Sequence, residues 1–366
     1  MAGIYVHVPF CHSKCAYCDF YSIANHKQMS HYVQAVAKEW DARKHELASE
    51  PIHTLYFGGG TPSMLDLNDF ASLADLFPLK NITEFTIEAN PEDISEYAIK
   101  QWIKAGVNRV SMGVQSLIDS ELATIGRRHK AVDALEAISR LHNNGIENIS
   151  CDLIYGLPGQ TPASWQYSLE KLIDTGLSHL SAYCLSYERG TRLYSMLQRG
   201  IVTEADDETI NKMYDALCST ASKAGFEHYE ISNFALPGMH SRHNSSYWDY
   251  TPYLGLGPGA HSLGADGLRR YVPGNLNNYL AAPEDSAVID EEDATDRFND
   301  LLLISLRTAR GLDLTEIPDI FKTELEKAAE EFLIKGLLIC KGNTWRIPEA
   351  HWLISDSIIR ALFIAR

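Results

Sequence analysis

A chain of 366 residues, 45% of them hydrophobic and 22% charged, holds enough material for one large domain and a smaller one. The formal net charge of −16 argues against general affinity for phosphate backbones, so nucleic acid is not an expected partner. No apolar run is long enough to span a membrane, and Met1-Ala2-Gly3-Ile4-Tyr5-Val6 lacks the basic region and apolar core of a secretory leader, so no integral membrane segment and a cytoplasmic location are expected.

Runs rich in β-branched and aromatic residues recur at βα-unit spacing: Ile4–Val8, His53–Phe57, Glu84–Ala89, Arg109–Val114, Ile149–Tyr155 and His179–Leu185. Helical patterns lie between them. Ile94, Tyr97, Ala98, Trp102 and Ala105 repeat at helical spacing before Gly106, and Ala131–Asn144 runs into Gly145. Thr161-Pro162 reads as N-cap and first-turn proline of a helix ending at Gly176; Ile210–Ala224 runs into Gly225. Six such units predict a parallel sheet, an α/β fold with an incomplete TIM-like barrel open on one side; a doubly wound sheet has the same alternation. Residues 240–264, rich in Gly, Pro, Tyr and Ser, are expected to form an ordered loop region, and 284–296 an exposed acidic connection. Residues 295–366 predict helix, helix, hairpin (Leu337–Cys340, turn at Lys341-Gly342-Asn343, Thr344–Ile347) and a last helix, a winged-helix-like unit. Its 10 Lys/Arg against 11 Asp/Glu favour a protein contact or lid over DNA binding.

Seven cysteines, four of them scattered singly (Cys151, Cys184, Cys218, Cys340), are not a disulfide framework. The other three form C-x3-C-x2-C at Cys11, Cys15 and Cys18, directly after the first predicted strand. Thiolates are soft ligands that suit iron–sulfur clusters. Three on one tight loop can hold three irons of a [4Fe–4S] cubane and leave the fourth open to the amino and carboxylate groups of S-adenosylmethionine (SAM). Such a cofactor pair carries radical chemistry, with the protein supplying position and exclusion of solvent. A zinc site is the alternative, but structural zinc takes four ligands, usually in two separated pairs, and His12 sits awkwardly inside the loop. A Cys15–Cys18 redox pair would be expected to open a thioredoxin-type helix, and Asp19 stands where a c-type haem attachment needs histidine.

In a parallel barrel the active site lies at the C-terminal strand ends. There stand Cys11, Gly58-Gly59-Gly60-Thr61-Pro62, Glu88, Gln115, Asp152 and Ser186. Singly, the glycines are a turn, the carboxylates are strand-end charges facing water, and Arg127-Arg128 after Gly126 is a solvated pair. Together they are one polar or glycine-rich feature per strand, six times over, and packing alone does not require that.

Tyr5-Val6-His7-Val8-Pro9-Phe10-Cys11, Phe57–Pro62, Ile87-Glu88-Ala89-Asn90-Pro91, Gly113-Val114-Gln115-Ser116, Gly126-Arg127-Arg128-His129 and Asp152–Gly159, with Tyr183–Tyr187, resemble the anaerobic coproporphyrinogen III oxidase (HemN) family of radical SAM proteins over essentially the whole chain. The resemblance implies a radical SAM core barrel over residues 1–235, a connecting region over 236–294 and a small, mostly helical domain over 295–366. It implies Tyr5, Gly59, Gly60, Thr61, Glu88, Gln115, Arg127 and Asp152 as SAM contacts, with the backbone of Tyr17 near SAM.

Two departures stand out. Phe20 occupies the place of a further cysteine of the oxidase, and ten residues precede Cys11 where the oxidase has a long arm. With Arg242-His243-Asn244-Ser245-Ser246-Tyr247-Trp248, which is similar to an H-N-x-x-Y-W motif, they point to the sister group of HemW haem chaperones. That implies haem as ligand, an acceptor haemoprotein as partner, an electron donor if SAM is cleaved, and no oxidase activity. His243 is then a candidate axial haem ligand flanked by Tyr247 and Trp248; otherwise the segment is an aromatic loop closing the barrel. The rival functions are coproporphyrinogen III oxidation or another radical SAM reaction on a tetrapyrrole, and pure interaction through the C-terminal unit. A homodimer stays open.

Overall fold

The computed structural model describes residues 1–24 and 26–365. Its first part alternates strand and helix: β1 (Ala2–Val8), α1 (Met29–Arg43), β2 (Ile52–Gly59), α2 (Leu67–Ala74), β3 (Glu84–Ala89) and α3 (Glu96–Lys104). The alternation continues with β4 (Arg109–Gln115), α4 (Asp119–Thr124), α5 (Ala131–Asn143), β5 (Asn148–Tyr155), α6 (Pro162–Ile173) and β6 (His179–Cys184). β1 to β6 pair in chain order and in parallel. Parallel neighbours need crossovers, and helices covering the sheet leave little of a strand exposed: six of the seven residues of β1 are buried. Thr161 accepts from the Ser164 N–H at the start of α6, with Pro162 in the first helical position.

After β6 come α7 (Arg192–Gln198), α8 (Asp207–Lys223) and a hairpin of β7 (Glu227–Glu230) and β8 (Asn233–Ala235), with β8 antiparallel to β6. The stretch expected as an ordered loop region carries short elements, while 284–296 is an exposed connection with one two-residue strand. In chain order come α9 (Arg242–Ser246), β9 (Tyr253–Leu256), β10 (His261–Leu263), β11 (Arg269–Tyr271), α10 (Leu276–Ala281) and β12 (Val288–Ile289). β9 lies parallel to β1 and is buried at all four positions, so residues 253–289 extend the barrel sheet by four strands. The sheet runs β12-β11-β10-β9-β1-β2-β3-β4-β5-β6-β8-β7, and its end strands do not pair with each other. The fold is an incomplete (β/α)6 barrel, open on one side.

The remainder is α11 (Ala294–Leu306), β13 (Leu312–Asp313), α12 (Asp319–Ile334), β14 (Ile339–Lys341), β15 (Thr344–Arg346) and α13 (Ser355–Leu362), in the predicted order of helix, helix, hairpin, helix. β13 joins the hairpin to make a three-stranded sheet. This unit is sewn to the β7–β8 hairpin: Ile231 N–H donates to the Arg307 carbonyl, Ala309 N–H to the Tyr229 carbonyl, and Nδ1 of His228 lies 2.8 Å from Glu349. No helix among the described residues is long and apolar enough to cross a membrane.

Candidate functional site

β1 delivers the chain to Pro9, and the loop that follows is pinned at its base. Cys11 N–H donates to the Ile23 carbonyl and Ile23 N–H to that of Pro9; further round, Ala16 N–H donates to Ile125 and Leu193 N–H to Ala16. With its backbone held, the loop leaves the thiols of Cys11, Cys15 and Cys18 unbridged, partly exposed and lining one cavity of about 460 Å3. Thr61 Oγ1 donates to Cys11 Sγ (3.5 Å), and the Arg127 guanidinium lies 3.5 Å from Cys15 Sγ. Burial pushes the Cys18 thiol up to about 11, against the Phe20 N–H that favours its thiolate.

The same cavity receives Tyr17, Gly59, Gly60, Thr61, Glu88, Gln115, Arg127 and Asp152, eight of the ten residues expected to bind cofactors. They arrive from the cysteine loop, from β2 to β5 and the residues just after β2, and from the segment after α4. Gly59 and Gly60 are required by close approach. Gly59 has φ +104°, and a Cβ there would fall 2.7 Å from the His7 ring; one at Gly60 would fall 2.6 Å from the Phe10 carbonyl oxygen and 2.8 Å from that of Val8. Glu88 accepts from Tyr56 O–H (2.8 Å) and Gly59 N–H (3.0 Å). Burial, added to by the Asp152 charge, still raises its carboxyl to about 7; burial likewise raises Asp152 to about 6. Arg127 donates to Asn90 Oδ1 (2.8 Å) and to the Gly113 carbonyl, while its Nε is buried without a partner. The donor set fits a thiolate-bound cluster: three soft ligands on one loop, a cation beside them and adjacent carboxylates for a polar organic ligand.

Two expected residues lie elsewhere. Tyr5 faces a second cavity of about 430 Å3, which shares Glu88, Ser111, Asp152 and Tyr183 with the first. Its hydroxyl is 3.1 Å from His7 Nδ1. His243 lines neither cavity. It has 0% exposure, its Nδ1 lies 2.8 Å from Thr54 Oγ1 and its Nε2 2.9 Å from Tyr247 O–H, and its backbone N–H donates to Glu84. Burial holds the ring neutral, near pKa 3. Both ring nitrogens have hydroxyl partners inside the protein. Of that segment, Asn244, Tyr247 and Trp248 line the second cavity.

Sequence reasoning missed Ser111 in the first cavity and Tyr56 behind Glu88, and gave the motif residues Asn90 and Tyr183 no binding role. Ser111 was within reach: alternation along β4 puts residues 111, 113 and 115 on one face. Tyr56 carried no signal, because a tyrosine in a strand is ordinary core material.

This fold and site define a radical SAM protein, and the model of the radical SAM superfamily matches residues 5–172. The chain is 35% identical to the heme chaperone HemW of Lactococcus lactis over 88% of this chain and 86% of that one. It is 33% identical to HemW of Bacillus subtilis, over 91% and 93%. The chain belongs to the HemW family. Among solved structures, the coproporphyrinogen III oxidase HemN of Escherichia coli superposes with a TM-score of 0.84 over 99% of this chain and 90% of that one; at 21% identity this is a likeness of fold.

Proposed function

We propose that this protein is a haem chaperone: it binds haem, carries a [4Fe–4S] cluster with SAM, and passes haem to an acceptor haemoprotein in the cytoplasm without oxidising coproporphyrinogen III. The reading is supported by its relatives' name and by one observation above the others, the three thiols that share a cavity with Gly59–Thr61, Glu88, Gln115, Arg127 and Asp152. Cys11, Cys15 and Cys18 hold the cluster. When bound, the cluster and SAM supply one-electron chemistry at the sulfonium, fed by an electron donor if SAM is turned over.

The protein's own groups have separable roles. Arg127 stabilises thiolate charge at Cys15 and answers a ligand carboxylate with its unpartnered Nε–H. An ammonium group donates hydrogen bonds, so it needs acceptors; the N–H groups of Gly59 and Gly60 are already taken by Glu88 and the Val8 carbonyl. Glu88 and Asp152 are those acceptors once ionised. Haem, as cargo, meets the first cavity where Phe20 of its lining is 65% exposed. An exposed aromatic ring beside a cavity suits a flat apolar macrocycle.

The test is anaerobic reconstitution followed by incubation with haem and, separately, with coproporphyrinogen III. The proposal expects a Soret band on the protein, haem transfer to an apo-haemoprotein and no carbon dioxide from the porphyrinogen. SAM- and reductant-dependent carbon dioxide release would replace the chaperone with the oxidase.

A further inference from the structure

Gln115 ends β4 with φ +68°, one of three non-glycine residues of positive φ among those described. Ser116 N–H donates to the Val114 carbonyl across it (2.9 Å), so Gln115 is the centre of a three-residue turn of the rare, strained hand. The pairing of β4 with β5 slips at the same point: Gly113 faces Asp152, but Gln115 faces Leu153. A Cβ at Gly113 would fall 3.0 Å from the Gln115 carboxamide nitrogen, which places that group over Gly113, beside Arg127. Strain of this kind persists only where surrounding contacts over-determine it.

The contacts that do so converge on Glu121, in the six-residue α4. Glu121 is 5% exposed, and no Lys or Arg among the described residues pairs with it. Its Oε2 accepts from Ser116 O–H (2.6 Å), the residue immediately after the strained turn, and from Gln160 Nε2 (3.1 Å). Its Oε1 accepts from Ser164 O–H (2.6 Å). Ser116 Oγ in turn accepts from Ile118 N–H. Gln160 carries the tie across the cavity wall, donating to the Ile154 carbonyl and accepting from Leu157 N–H. At the far end of α4 the Ile125 carbonyl accepts from Ala16 in the cysteine loop. One buried carboxylate thus joins the ends of β4 and β5, with the cysteine loop bonded to its own helix.

We propose that Glu121 is a positioning residue for the ligand of the first cavity: through Ser116 it holds Gln115 in its left-handed turn and so aims the carboxamide at the bound molecule. This rests on the reading of that cavity as the SAM site. A carboxamide offers two donors and an acceptor, which suits the hydroxyls and heteroaromatic nitrogens of an adenosine.

The experiment is a double-mutant cycle on reconstituted protein, reading iron content, SAM affinity and melting temperature for wild type, Glu121→Ala, Gln115→Gly and the pair, with Glu121→Gln as substitute should the alanine variant not fold. Glu121→Ala is expected to keep its cluster iron and weaken SAM binding about tenfold, the scale of one charge-assisted hydrogen bond. In the Gln115→Gly background the same change should weaken it less than about twofold, because the group it aims is gone. Gln115→Gly alone should raise the melting temperature of wild type by relieving the turn, and raise that of the Glu121 variant less. Equal loss of SAM affinity in both backgrounds, or an unchanged affinity in Glu121→Ala, overturns the proposal. Absence of SAM binding by wild type would strike the reading of the cavity instead. The melting temperatures would then still decide whether Glu121 holds the turn, and equal gains in the two backgrounds would overturn it.

Discussion

The two cavities share a wall of Glu88, Ser111, Asp152 and Tyr183, yet their motif residues are built to opposite rules. Around the first, side chains are left incompletely paired: thiols stand unbridged and partly exposed, and Arg127 keeps a buried Nε without a partner. Beside the second, the prominent histidine of the H-N-x-x-Y-W motif is fully buried with both ring nitrogens engaged. A ligand-binding group needs capacity that the folded protein has not already used. The motif marks residues that belong together; only the partner count tells structural ones from binding ones.

The sharpest break of that comparison is at the thiols. Cys11→Ala, Cys15→Ala and Cys18→Ala should each abolish the cluster, read as loss of iron, sulfide and visible absorption, because two thiolates do not hold the cubane. Equivalent changes at Cys151, Cys184, Cys218 or Cys340 should leave iron near wild type; loss at any of these would overturn the three-ligand assignment. His243→Ala should behave as a core deletion, costing roughly 2–4 kcal/mol through a cavity and the stranded Thr54 and Tyr247 hydroxyls. Folded His243→Gln should keep the wild-type Soret position on haem loading. A shifted Soret band would make the histidine a ligand and erase the contrast between the cavities.

Much of this was legible in the chain itself. The six barrel strands show as β-branched runs at βα spacing, and Thr161-Pro162 marks its helix start because capping chemistry is local. β9 is not legible: Tyr253-Leu254-Gly255-Leu256 has no alternation and contains a glycine, and its place in the sheet depends on the edge of β1, about 250 residues earlier in the chain, with β10 on its other side. Glu121 was invisible for the same reason, since its donors Ser116, Gln160 and Ser164 come together only in the fold. The partners of His243 were equally hidden, because residue type and motif say nothing about whether a ring nitrogen is already occupied.

Two smaller effects sharpen the picture of the first cavity. Gly60→Ala places a methyl against the backbone carbonyls of Val8 and Phe10, which no rotamer relieves; it should cost roughly 1–3 kcal/mol and lower reconstituted iron. Unchanged melting and iron would mean that β2 and the cysteine loop are not tightly apposed. Glu88 has a folded pKa near 7 against an ordinary 4.5, so the folded state holds the extra proton between those values. Its contribution to stability is therefore fully present below the ordinary value and is lost as pH rises towards 7. Glu88→Gln should flatten that decline in ligand-free protein, and denaturant titrations at pH 5 and pH 7.5 would show whether it does.

The measurement that bears most directly on the central claim is the EPR spectrum of the reduced, reconstituted protein with and without SAM. A cluster held by Cys11, Cys15 and Cys18 leaves one iron for SAM in the cavity bounded by Gly59, Glu88, Gln115, Arg127 and Asp152. Adding SAM should change the signal of wild type and change it less in Gln115→Gly. A reduced-cluster spectrum indifferent to SAM would contradict the assignment of this cavity.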